Sequence, residues 1–157
     1  MRRSVLAALS LLLVSAAAAA EWKYEGGSVP IAWFDTDAAQ FQFACRGGQL
    51  AMGFWVRKPD SAVAGAAAMS LAITPDPAAG GSTVYAQDMP LIHLDGTSMI
   101  VRGPVARQWA KIAQAAHTDM RVSYVRQTAG RLEALEPNVF GAKGSSAAIA
   151  QVLAKCG

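Results

Sequence analysis

The chain has 157 residues, of which 53% are apolar and 16% charged, with a formal net charge of +3. Two of its 14 basic residues are Arg2 and Arg3; without them 12 basic residues face 11 acidic ones, a net charge of +1. A near-neutral surface with no basic stripe excludes nucleic acid as an expected partner.

Residues 1–20 read as a signal peptide. Arg2 and Arg3 form a positive start, Val5 to Val14 an apolar core, and Ala18-Ala19-Ala20 an A-x-A site before Glu21. The apolar run is short and rich in alanine, so no stable membrane insertion is expected after cleavage. The residue directly after the site is Glu21 and not cysteine, which argues against a lipoprotein. The remaining residues, 21–157, suit one domain with a full core. The expected location is periplasmic or secreted.

Trp22 and Tyr24 alternate in a first, edge strand. A second short strand spans Ile31 to Phe34, with Pro30 at its start or edge and Asp35 and Asp37 closing it with turn chemistry. Residues 41–58 form a β-hairpin around Gly47-Gly48. Its register sets Cys45 against Leu50, Phe43 against Met52 and Phe41 against Phe54, all on one face. A slip of one residue would turn one strand's apolar set to water.

Pro59 to Gly65 reads as a loop, Met69 to Ile73 as a strand, Thr74 to Ser82 as a loop and Thr83 to Ala86 as a short strand. Leu91 to Leu94 and Thr97 to Arg102 flank Asp95-Gly96, a strong hairpin signal. That register pairs Ile92 with Met99 and Leu91 with Ile100. The period then changes. Gly103-Pro104 predicts a helix start with proline at the first helical position. Val105, Trp109, Ile112 and Ala116 would face inward, and Arg107, Gln108, Lys111 and Gln114 outward. His117 falls in the last turn. Met120 to Gln127 and Arg131 to Leu135 are two further strands. The final helix runs from about Ser145, its N-cap, to Lys155. Ile149, Val152, Leu153 and Cys156 lie on one face of it.

The expected fold is mainly β, a β-rich α+β domain. It is an antiparallel, sandwich-like structure with two helices, the C-terminal one stapled to the core hairpin. The staple is a Cys45–Cys156 disulfide. These are the only two cysteines, both periodicities aim them inward, and an exported chain meets an oxidising compartment. Closing a loop of roughly 110 residues is worth about 4.7 kcal/mol in the chain-entropy model.

Catalytic signals are sparse. His93 lies across a hairpin from Ser98, but a triad also needs a placed acid and an oxyanion hole, and no G-x-S-x-G elbow is present. An exposed cross-strand polar pair is the simpler account. His117 reads as a helix-end residue. No H-x-x-x-H, C-x-x-C or H-E-x-x-H spacing occurs, and Asp35-x-Asp37 lacks the rest of a calcium loop. No metal or cofactor is expected. Gly141 to Ser146 superficially resembles a phosphate loop without its spacing, and reads better as a helix cap. Trp33 and Trp55, the latter beside Arg57, form a possible binding surface, since exposed aromatics next to arginine can be hot spots.

The order F-x-C-x-G-G, then RVSYVR, then N-V-F with a final small-residue helix ending in Cys-Gly, resembles two groups of exported bacterial proteins. They are the invasion-associated locus B family and the type VI secretion accessory proteins of the VasI/TagO kind. The matching positions are Cys45, Phe140, Gly144, Ala148, Ile149, Cys156 and Gly157, within residues 41 to 157. The resemblance implies a β-rich exported fold and carries no catalytic residues over. The expected function is therefore that of a non-enzymatic accessory or binding protein, acting through protein contacts in the periplasm or at the cell surface. An inhibitor or chaperone of an envelope enzyme, or a small hydrolase using His93 or a carboxylate pair, remains an alternative.

Overall fold

The computed structural model describes residues 20–86 and 88–156. The predicted signal peptide lies outside the described residues except for Ala20.

Two antiparallel sheets form the body. The first has six strands: β1 (Lys23–Glu25), β2 (Ile31–Asp35), β3 (Ala39–Arg46), β4 (Gln49–Val56), and then, after a crossover, β8 (Ile92–Leu94) and β9 (Thr97–Arg102). Their order across the sheet is β1-β2-β3-β4-β9-β8. The second sheet has β5 (Ala68–Pro75), β6 (Val84–Tyr85), β10 (Asp119–Thr128) and β11 (Arg131–Gly141), in the order β11-β10-β5-β6, with β7 (Met89–Pro90) also pairing β5. Among the described residues there are also three α-helices, α1 (Ser61–Ala64), α2 (Arg107–Ala115) and α3 (Ser145–Leu153), and a 3-10 turn at Pro77–Ala79.

The β3–β4 hairpin has the register its alternation demands: Cys45 pairs Leu50, Phe43 pairs Met52 and Phe41 pairs Phe54. Gly47 and Gly48 both take positive φ, 56° and 78°, the backbone of a two-residue turn that follows strand twist. All six inward side chains are buried. Around them packs a cluster of rings. Phe41 lies 5.1 Å from Phe43 and 5.8 Å from Phe140 between centroids. Trp22 closes one end, its indole N–H donating to the Gly141 carbonyl at 2.9 Å. Tyr124, from the other sheet, packs tilted against Phe54 with centroids 4.8 Å apart and donates its hydroxyl to the Ser98 carbonyl at 2.8 Å. Burial pushes that phenol above its ordinary value, so it stays a neutral donor binding sheet to sheet.

Helix α3 lies against β1, β2, β3 and α2. Ile149, Val152, Leu153 and Cys156 are buried, and the Cys45–Cys156 disulfide joins α3 to the hairpin with Cα atoms 5.5 Å apart. That bond suits an oxidising, extracytoplasmic location.

Several sequence expectations need correction. Pro104 does not open α2. The Gly103–Pro104 bond is cis, and the helix starts at Arg107 after Ala106. Its inward face is as expected, with Trp109 and Ala116 buried and Val105 and Ile112 packed partly buried against the core, and Ala110 and Ala113 are buried beside them. Arg107 does not face only solvent: its guanidinium donates to the Leu153 carbonyl at 3.1 Å and to that of Cys156, satisfying carbonyls that the end of α3 leaves unpaired. Gly144, not Ser145, is the N-cap of α3, at φ 80°. A Cβ there would also come within 3.2 Å of the Trp22 carbonyl, so the position is doubly restricted to glycine. Residues 59–65 contain the short helix α1, because the Asp60 carboxylate accepts from the N–H groups of Ala62 and Val63.

Strand β11 does not stop at Leu135. Glu136 adopts φ 50°, the register shifts opposite Val122 to Tyr124, and the strand resumes to Gly141. Pro137 is tolerated because β11 is an edge strand, where no ladder donor is lost. Leu91 does not pair with Ile100. The run 89–94 leaves β5, where Pro90 pairs Ala68, and joins β9 only from Ile92. Leu91 is the corner between the sheets, its N–H held by the Ala67 carbonyl at 3.0 Å.

Candidate functional site

Helix α3 packs on the inner side of β1, β2 and β3; on the outer face of the six-stranded sheet Ala44 and Ala51 are buried, while the side chains from Trp33 through Trp55 to Ile92 are half-buried or exposed. Strand alternation decides what lies there. Trp33 pairs Gln42, which pairs Gly53; Gln40 pairs Trp55, which pairs Met99, which pairs Ile92. Trp33 and Trp55 are therefore on one face, as half-buried side chains. Arg57 joins them. Its guanidinium lies 4.9 Å over the Trp55 ring, bridges to Asp35 at 2.6 Å and donates to the Thr36 carbonyl at 2.6 Å. The turn between β2 and β3 thus fixes the cation on the indole, a favourable arrangement for the ring quadrupole.

The same face carries residues that sequence reasoning missed. Ile92 is 51% exposed and Leu94 66%, and with Trp55, Thr97 and Met99 they line a cleft of about 180 Å³. Local alternation gave the Ile92–Met99 pair. It could not give the pairing of β9 with β4, which brings that pair beside Trp55. Asp35 was read as a turn residue and turns out to anchor Arg57; Asp37 lines a different hollow with Lys58 and Glu136.

His93 and Ser98 do meet, Nδ1 to Oγ at 2.9 Å. Nε2 lies 2.7 Å from the Ala66 carbonyl, which can only accept. The Nε2 nitrogen therefore carries the proton, and Nδ1 accepts from the serine hydroxyl. Ser98 is fully buried, so this geometry does not present its oxygen to a substrate. The pair ties the β8–β9 hairpin to the segment before β5. The Gly141–Ser146 region is likewise closed. Lys143 pairs Glu21 at 3.0 Å, and the Ser145 hydroxyl is buried without a partner. Among the described residues no three His, Cys, Asp or Glu side chains converge as a metal site. None of the described helices is long and apolar enough to cross a membrane. An opening of about 580 Å³ beside the second sheet contains Asp88, which accepts from Ser70 at 2.6 Å, and Arg126, paired with Glu133 at 2.7 Å.

His117 lies just beyond α2, where its backbone N–H and that of Thr118 donate to the Asp76 carboxylate at 3.0 and 2.7 Å. Those bonds, Thr118 first and then His117, hold the Asp76 carboxyl well below its ordinary 3.8. A depressed folded value makes Asp76 stabilising wherever the unfolded carboxyl is ionised, in full above about pH 5. The contribution is lost as pH falls through 3.8 toward the folded value. Asp76→Asn, which tolerates the left-handed φ of 44°, should flatten the fall in urea midpoint between about pH 5 and pH 2. An unchanged acid slope in the variant would contradict this assignment.

Compared with known proteins, the chain matches no family model, no curated protein and no solved structure.

Proposed function

We propose that the chain is a non-enzymatic exported binding protein, periplasmic or secreted, whose protein partner docks on the cleft at the β8 end of the open sheet face. The observation that carries this reading is the exposure of Ile92 and Leu94 around that cleft. Two large aliphatic side chains left in water beside a tryptophan, with an arginine fixed at the margin, match the make-up of an interface centre. The disulfide supports the location, and the resemblance of the Cys45, Phe140 and Cys156 order to the locus B and VasI/TagO proteins supports an accessory role in the envelope.

The test compares immobilised wild type with Leu94→Asp in envelope extracts. Leu94 points outward at the hairpin, so the change should leave the unfolding free energy within the small range of surface substitutions, about 0.5 kcal/mol. The expected result is a partner retained by wild type and lost by Leu94→Asp. Identical captured proteins in both would refute docking at this cleft.

A further inference from the structure

The other half of the open face has a different chemistry. Trp33 and Trp55 sit on β2 and β4, on either side of β3, and Gln42 and Gln40 occupy β3 between them. Ordinary strand spacing puts the two tryptophan Cα atoms roughly 12 Å apart. All four side chains are half-buried, held at the base and open above.

Their polar atoms are free. Trp22 uses its indole N–H on the Gly141 carbonyl, and Gln114 and Gln151 use their amides on the Ser146 and Ala147 carbonyls. Among the described residues, the indole N–H groups of Trp33 and Trp55 and the amides of Gln40 and Gln42 have no such partner, and none is buried. Gln42 is also positioned. A Cβ on Gly53 would come 2.9 Å from its Nε2 and 3.0 Å from its Cγ, so the glutamine lies across the bare backbone of Gly53. Gly53 needs no positive φ; its role is this close approach. Three charged side chains border the four: Arg57 lies 4.9 Å over the Trp55 ring and pairs with Asp35, and Lys23 pairs with Trp33 across the β1–β2 ladder.

We propose that Trp33, Gln40, Gln42 and Trp55 form a platform for an uncharged, β-linked glycan chain. The C–H faces of a pyranose ring pack on an indole. The spacing lets two rings of one chain rest on the two tryptophans. Hydroxyl and acetamido groups along the chain exchange hydrogen bonds with the two amides, each both donor and acceptor, and accept from the indole N–H groups. The Arg57 charge is balanced by Asp35, so Lys23 alone is left to attract an anionic polymer. An apolar protein surface laid over it would strand the amides and indole N–H groups, at about 1–3 kcal/mol each. A polyhydroxyl chain satisfies them. This site does not rest on the docking cleft: it shares Trp55 with it but neither Ile92 nor Leu94.

The test uses the oxidised protein in two assays: co-sedimentation with insoluble chitin and cellulose, and intrinsic fluorescence titration with chitohexaose. The expected result is retention in the pellet and a saturable fluorescence change. Trp33→Ala and Gln42→Ala should each weaken chitohexaose binding by about tenfold. Trp33→Phe keeps a ring under the sheet face and guards against a folding failure; it should weaken binding less than the alanine variant. Gly53→Ala, which displaces Gln42, should weaken binding at an unchanged circular dichroism spectrum. Leu94→Asp should bind the sugar as wild type does, whatever it does to protein capture. No retention on either polysaccharide, or equal affinity in Trp33→Ala and wild type, overturns the proposal. So does loss of captured proteins in Trp33→Ala without any sugar binding, which would make the face a protein interface.

Discussion

Phe43→Ala is expected to lower unfolding free energy by about 3–5 kcal/mol, the range for truncating a buried aromatic. Phe43 is fully buried, 5.1 Å from Phe41 and 6.4 Å from Trp22 between ring centroids. Those two neighbours are themselves packed on Phe34 and Phe140 and cannot both move to fill the space, so the cavity stays. Its chain neighbour Gln42 points to the opposite face, and Gln42→Ala should cost only about 0.5 kcal/mol or less. Urea denaturation of both variants measures the contrast. Equal costs would mean that the β3–β4 register is wrong by one residue.

The second large effect is loss of the Cys45–Cys156 bond. The double variant Cys45→Ala/Cys156→Ala should lose about 2–5 kcal/mol, the usual range for a native disulfide in a small exported domain. The bond spans 111 residues, near the upper end of what loop closure contributes. The loss should not be uniform. Helix α3 has nine residues, too few to persist alone in water. Without the bond it is held by Ile149, Val152 and Leu153 on the sheet and by the Arg107 contacts to its last carbonyls. Hydrogen exchange of the double variant should show α3 losing protection before the β3–β4 hairpin does. Simultaneous loss in both segments would show that the helix is not a separate unit of stability.

What the sequence made legible was local. The two hairpins around Gly47-Gly48 and Asp95-Gly96 have turn residues and alternating strands in one short run, so pattern and turn chemistry agree on a register. The disulfide followed from two such local patterns, the strand of Cys45 and the helix of Cys156. The errors also have local causes. Gly103-Pro104 resembled a helix start, yet Arg107 begins α2. The strand expected over Arg131 to Leu135 runs on to Gly141, because an edge position tolerates Pro137. Gly144 outcompeted Ser145 for the cap because the chain must turn at positive φ under Trp22. The candidate site was half legible. Trp33, Trp55 and Arg57 could be picked by residue type and alternation. Ile92 and Leu94 join them only through the pairing of β9 with β4, between segments about 45 residues apart. A pairing that distant is chosen by packing of the whole core, and no short pattern encodes it. The same holds for Gly53, whose meaning appears only once Gln42 lies across it.

The placement of the disulfide has a mechanical consequence. Tension applied between Ala20 and Cys156 can draw out only the stretch from Ala20 to Cys45, roughly 90 Å at full extension. Everything between Cys45 and Cys156 lies inside a closed covalent loop and bears no load. The five-stranded sheet, strands β8 and β9 and helix α2 belong to that loop. A protein tethered near its start and pulled from its end would therefore give up β1, β2 and most of β3 while the rest of its backbone stayed slack.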